Sequence, residues 1–319
     1  MKKFLLILLA MFSEAAAGPR LDPSVINKAS YEAGEISKGV SPFLVKLQIL
    51  LDRANISPGV IDGRLGKNLK SAIREFEEKS HLPVDGVIDR GVWRLLDRGA
   101  EGELVPYDIT AKDVEGPFAG KIPEDFGAMA RLDRLSYTSP AELLAEKFHM
   151  HIKLLQALNP GAHFDRQGEK IIVANVLGAM PESVARLDVD VGKSVVRGFA
   201  KDGSLVVAYP ATVGSDDNPS PSGTMTVKAV VNNPKYFYRP NKNFQQGNND
   251  QPLDIPPGPN GPAGSVWIDL SKEGYGIHGT AEPELIGKSS SHGCVRLTNW
   301  DAEELAELVH RGIPVTFRE

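Results

Sequence analysis

YGIHGTAEPELIGKSSSHGCVRLTNWDAEEL, residues 275–305, holds Cys294, the only cysteine in a chain of 319 residues. Two histidines, His278 and His292, lie in the same stretch. YGIH reads as the end of a β run, the residues after it as a turn-rich loop, and Asp301 to Arg311 as a helix. Asp301 is positioned to cap that helix with Glu304 three residues on, and Gly312 and Pro314 stop it. A lone thiol has three fates open to it: an inert buried side chain, an intermolecular bridge, or a nucleophile. The last needs a base or a positive neighbour, because an ordinary thiol, with a pKa of about 8.5, is only slightly ionised at neutral pH. His278 can supply the base if the loop folds back. Gly293 permits a sharp turn before Cys294, and the Gly293 and Cys294 amides could face a developing oxyanion. His292 is expected to order the loop. Arg296 is placed to bind a carboxylate or to hold the loop in shape.

Outward from this stretch, residues 185–319 form a mainly β block. SVVRGFA (194–200), SLVVAYPATVG (204–214), TMTVKAVV (224–231), SVWIDL (265–270) and IPVTFRE (313–319) are short β-rich runs between Gly, Pro, Asn and Asp turns. Between two of them, residues 232–264 run without a regular pattern. A loop that long is expected to be a lid or substrate wall, with Tyr236, Phe237 and Tyr238 lining a donor site.

Residues 40–99 carry a helical pattern instead. Leu44, Leu47 and Leu51 recur at helical spacing, as do Leu69, Ala72, Ile73 and Phe76, and Val92 to Leu96 close a third short helix. Two Asp-Gly pairs, Asp62-Gly63 and Asp85-Gly86, interrupt them at turns that call for a positive φ. Residues 121–180 predict a helix capped by Thr138 or Ser139, a second helix ending at LNPG, and a strand, IIVANV. His149 and His151 in this block point to different sides of a helix with no carboxylate near them in sequence. They are expected on a solvated helix surface and not around a metal. Residues 18–39 and 100–120 read as linkers. The expected fold class is therefore multidomain α+β, with a small three-helix domain, an α/β module and a mainly β domain.

The first seventeen residues have the parts of a secretory signal: Lys2 and Lys3, an apolar run, and Ala15-Ala16-Ala17. An exported protein is expected, without stable membrane insertion after signal cleavage, since no later run approaches the ~20 apolar residues of a spanning helix. A net charge of −5 with scattered basic residues points away from nucleic acid.

Three resemblances sharpen this reading. VIDGRLG, AIREF and VDGVIDRGVWRLL resemble the peptidoglycan-binding domain found beside many wall enzymes. LNP and GEKIIV resemble a degenerate LysM module, a sugar-binding unit of strand–helix–helix–strand order. His278-Gly279-Thr280 followed by Ser291-His292-Gly293-Cys294-Val295-Arg296 resembles the signature of the L,D-transpeptidase catalytic (YkuD-type) domain, a β-sandwich fold. Pro-Ser-Gly at 221–223 departs from that family's commoner Thr-Pro-x-Gly.

The last resemblance implies a cysteine enzyme of the bacterial wall, periplasmic and wall-associated, acting on peptidoglycan stem peptides and glycan, with no metal or cofactor. Cys294 would be the nucleophile and His278 the base. The Gly279 carbonyl would orient the imidazole, and Ser291, His292 and Gly293 would support the loop. A carboxypeptidase or a hydrolase of the lipoprotein–wall bond would use the same chemistry. A non-catalytic wall anchor and a zinc peptidase are the readings from other classes.

Overall fold

A computed structural model describes residues 21–32, 39–99, 102–181, 183–215, 218–242 and 244–318. The signal-like start lies outside the described residues.

Helix α1 (Pro23–Asn27) is followed by α2 (Pro42–Arg53), α3 (Lys67–Lys79) and α4 (Arg90–Leu96). The apolar spacing read from the sequence buries Leu44, Leu47, Leu51, Leu69, Ala72, Ile73 and Phe76 in one cluster. Gly63 and Gly86 turn with φ of +70° and +75°, and each turn is held by a side chain from the preceding helix. Gln48 Oε1 accepts from the Asp62 and Gly63 amides. Glu77 Oε2 accepts from the Asp85 and Gly86 amides at 2.9 and 2.8 Å. Residues 18–39 were expected to be a linker, yet α1 is packed: Ile26 is fully buried. Asn27 also exchanges two hydrogen bonds with the Leu104 backbone.

Those bonds anchor β1 (Leu104–Asp108), which lies where the sequence suggested a second linker. β1 pairs antiparallel with β2 (Lys170–Ala174). Between them run α5 (Ala111–Val114), α6 (Phe126–Met129), α7 (Pro140–Lys147) and α8 (Ile152–Leu158). Of the two candidate caps for α7, Ser139 holds the position, its hydroxyl accepting from the Glu142 amide. Among the described residues, no helix is long and apolar enough to cross a membrane.

The remaining strands are β3 (Arg186–Asp190), β4 (Val195–Phe199), β5 (Leu205–Pro210), β6 (Gly223–Asn232), β7 (Tyr236–Tyr238), β8 (Leu253–Ile255), β9 (Val266–Leu270), β10 (Gly276–His278), β11 (Val295–Arg296) and β12 (Pro314–Arg318), with α9 (Asn299–Leu308) before the last. Eight of them form one sheet in the order β11-β10-β9-β6-β12-β3-β4-β5. The long β6 pairs with β12 along its first half and with β9 along its second. The sheet thus folds over a core that also receives Ala302, Leu305 and Leu308 of α9. Its two edges meet, because Thr212, just past β5, bridges Arg296 of β11. α9 begins two residues before the expected start, and Thr298 caps it, its hydroxyl accepting from the Asp301 amide.

The helical domain is fused to this sheet. Val195, Phe199, Leu205 and Ala208 share one apolar cluster with α2, α3 and α4. Arg197 of β4 grips Glu75 of α3 through two hydrogen bonds of 2.7 Å. Lys79 donates to the Ala54 and Val206 carbonyls. Such a buried two-pronged pair is costly to break from one side, about 3–5 kcal/mol.

Candidate active site

β10 and β11 run side by side and parallel, with Ile277 opposite Val295 and His278 opposite Arg296. Ile277 and Val295 point into the core. The alternation of a strand therefore sends Gly276, His278 and Arg296 to the other face. Cys294 stands directly before β11, and the Arg296 cation acts on both the His278 ring and the Cys294 thiol. The Gly276 amide faces the sulfur, and Sγ lies 3.6 Å from the Gly274 carbonyl.

The imidazole is fixed on two sides. His278 Nδ1 lies 2.7 Å from the Gly279 carbonyl oxygen. A carbonyl only accepts, so Nδ1 carries the proton and Nε2 presents the lone pair. Trp267, opposite His278 across the β9–β10 pairing, stacks on the ring with centroids 5.1 Å apart. Burial pushes the imidazole down to about 4, and the Arg296 cation adds to this while the Gly279 carbonyl opposes it. Burial pushes the Cys294 thiol up, against the Gly276 amide and Arg296. Both shifts favour the uncharged forms, a thiol at Cys294 and a neutral imidazole at His278.

Gly293 adopts φ +105°, a conformation that side chains disfavour. A Cβ there would also meet the Tyr275 ring at 3.0 Å and the Pro219 carbonyl at 3.3 Å. Its N–H, expected to face an oxyanion, instead donates to Ser291 Oγ at 3.2 Å. Ser291 Oγ in turn donates to the Cys294 carbonyl. The Ser291 amide donates to the Val213 carbonyl, so the turn hangs on the segment after β5. The Cys294 amide has no acceptor among the described residues.

The other expected site residues separate. Tyr236 lies beside the sulfur: burial, then the neighbouring Cys294, pushes its phenol up to about 12. Tyr238 was expected to line the donor site, but it is fully buried. Its hydroxyl donates to the Asn249 carbonyl and accepts from the Gln246 amide, so it holds the loop together and does not face a cleft. Phe237 is exposed. His292 stacks on Phe244 with centroids 3.9 Å apart. The Arg296 guanidinium has no hydrogen bond or ion pair among the described residues and stays available to an anion.

His149 is not on a solvated surface. It is buried with φ +56°, its Nδ1 3.0 Å from Asp52 Oδ2, and its ring stacks on Trp300. His151 caps α8, its Nδ1 accepting from the Lys153 amide. The sequence reading passed over Trp267 and Asn299 at the site. Trp267 was within reach, since strand alternation in SVWIDL sets it opposite to the inward Val266 and Ile268.

A model of the L,D-transpeptidase catalytic domain (YkuD) matches residues 185–316, and one of a peptidoglycan-binding domain matches residues 41–96. A Bacillus licheniformis protein named L,D-transpeptidase YkuD is 32% identical over 178 residues, covering 55% of this chain and 91% of that one. The L,D-transpeptidase ErfK/SrfK of Escherichia coli is 27% identical over 184 residues, 56% of this chain and 59% of that one. A solved L,D-transpeptidase structure from Xylanimonas cellulosilytica gives a TM-score of 0.40 at 14% identity, covering 91% of this chain and 100% of that one. An overall likeness of that size adds nothing to the assignment. The extent of the first relative carries it: this chain belongs to the L,D-transpeptidase catalytic-domain (YkuD) family of enzymes.

Proposed function

We propose that the chain is an exported cysteine L,D-transpeptidase of peptidoglycan stem peptides, with Cys294 as nucleophile and His278 as proton carrier. The observation that carries this reading is the fixed tautomer: the Gly279 carbonyl holds the Nδ1 proton and leaves the Nε2 lone pair free, on a ring that shares the Arg296 cation with Cys294. Cys294 Sγ attacks the carbonyl between the L-centre of meso-diaminopimelate and the terminal D-alanine, and Nε2 takes the thiol proton as the C–S bond forms. The tetrahedral oxyanion is stabilised by the free Cys294 amide. Its collapse breaks the C–N bond, the imidazolium returns its proton to the leaving amine, and D-alanine departs from a thioester. An acceptor amine then attacks the thioester and gives a 3→3 cross-link or protein attachment. Water in its place would give a trimmed tripeptide.

A neutral resting pair suits this cycle: the thiol proton leaves with D-alanine, and the proton that the acceptor amine loses returns through Nε2 to the departing sulfur. Arg296, unpaired beside the sulfur, binds a donor carboxylate, and Tyr236 forms part of the wall. The helical domain grips peptidoglycan, and the module of residues 104–174 adds a LysM-like contact to glycan. Export through the signal at residues 1–17 places the enzyme in the periplasm, at the wall. Incubation of wild type and Cys294→Ala with tetrapeptide muropeptides, read by mass spectrometry, tests the proposal. A 3→3 dimer made only by wild type is expected. Tripeptide alone assigns a hydrolase, and equal products from both proteins reject the thiol mechanism.

A further inference from the structure

Helix α7 lies outside the catalytic β domain, yet two of its carboxyl groups reach into that domain. Glu142 and Glu146, one turn apart, share a helix face. Glu142 Oε1 accepts from Asn260 Nδ2 at 2.8 Å, in the long loop before β9. Glu146 Oε2 accepts from Asn299 Nδ2 at 2.9 Å, at the first turn of α9. Glu146 is buried, and Tyr137 donates to the same oxygen at 3.4 Å. Burying a carboxyl group is costly unless it is hydrogen-bonded, and Oε2 accepts two bonds here.

Asn299 is the wedge between that carboxyl group and the catalytic strand. Its Nδ2 donates to Glu146 and to the Pro259 carbonyl, and its Oδ1 accepts from the Ser265 amide at 3.1 Å. Oδ1 presses so closely on Gly279 that a Cβ there would sit 2.2 Å from it, and one on Gly264 2.3 Å. Gly279 is the residue whose carbonyl fixes His278 Nδ1. The His278 carbonyl is itself tied to the Leu297 amide, two residues before Asn299. The chain of contact is thus Glu146, Asn299, Gly279, His278, each link made by groups that are almost wholly buried.

We propose that Glu146 is a positioning residue for the His278 imidazole, acting through Asn299 and the Gly279 carbonyl. The segment between the wall-binding and catalytic domains is in this sense part of the active site. The inference rests on His278 being the proton carrier of the proposed reaction. Burial raises the Glu146 carboxyl to about 8, against the Asn299 hydrogen bond, with Glu142 and Glu303 reinforcing the rise. The group therefore acts as a protonated acceptor, which a glutamine amide imitates.

The full-length enzyme with Glu146→Ala, Glu146→Gln or Glu146→Met decides the matter. Donor kcat and KM are measured beside nitrogen NMR of the histidine rings, with His278 assigned by its own substitution. Glu146→Ala is expected to lower kcat about tenfold with KM within about twofold, and to admit a second His278 tautomer. Glu146→Gln recovers most of both. If Glu146→Ala does not fold, Glu146→Met, which keeps the length and loses the acceptor, takes its place with the same expectation. A folded variant with wild-type kcat and a single tautomer overturns the proposal. Absence of donor turnover in wild type would reject the transpeptidase reading instead, and the NMR measurement would still report whether Glu146 orients the ring.

Discussion

His149 and His278 are both buried, both stacked on a tryptophan, and driven in opposite directions. Burial disfavours the charged form of each. At His149 the Asp52 carboxylate overrides burial and raises the imidazole to about 9, with Glu304 and Asp301 helping. At His278 the partner is a neutral carbonyl and the nearest charge is a cation, so the ring falls to about 4. The partner sets the sign, and the sign sets the role. A histidine held charged can rivet modules together, while one held neutral keeps a lone pair, which the proposed reaction uses at His278. His149 joins Asp52 of α2 to the Trp300–Glu304 turn of α9, where burial has raised Asp301 to about 7 and Glu304 to about 8.

The largest separation comes from replacing each ring. His278→Asn should cost about a thousandfold in kcat, the usual range for losing a general base, with little change in melting temperature. His149→Asn should leave kcat near wild type and cost about 3 kcal/mol in unfolding free energy, because it strands a buried carboxylate. Denaturant titration beside turnover measurements reads both, and equal losses in kcat and stability for the two variants would erase the contrast.

A smaller effect follows from Arg296, whose charge lowers both the imidazole and the thiol. Arg296→Gln should let both rise, which shifts iodoacetamide labelling of Cys294 to higher pH and weakens donor binding about tenfold. Unchanged labelling between pH 7 and 9 would show that burial alone tunes the pair.

The smallest is the pH dependence of stability. His149 titrates at 6.5 when free and about 9 when folded. The stability it contributes is complete below 6.5 and is lost as pH climbs through about 9. Asp301 and Glu304, also raised on folding, lose theirs in the same direction. The melting temperature should therefore fall from pH 6 to pH 9, and His149→Asn should flatten part of that slope. A rising melting temperature over this window would reverse the assignment.

How far the sequence could be read depended on how local the determinants were. The helical unit was legible because apolar spacing and two Asp-Gly turns are written within sixty residues, and the structure returns both positive-φ glycines. The approach of the segments around His278 and Cys294 was open to a sequence reading, because β10 and β11 sit at the ends of a single loop. What was missed is long-range. The partner of His149 is Asp52, and its stacking ring is Trp300, neither near it in the chain. β1 hid in an apparent linker because Pro106 breaks its alternation, and it becomes a strand only against β2. Tyr238 looked like a site aromatic, but the bonds that bury it come from its own loop.

The clasp between Glu75 and Arg197, set in a common apolar cluster, means that the wall-gripping helices cannot swing on a tether. Reach is built into the molecule. The offset between the helical end and the sheet is set by packed side chains and not by a linker.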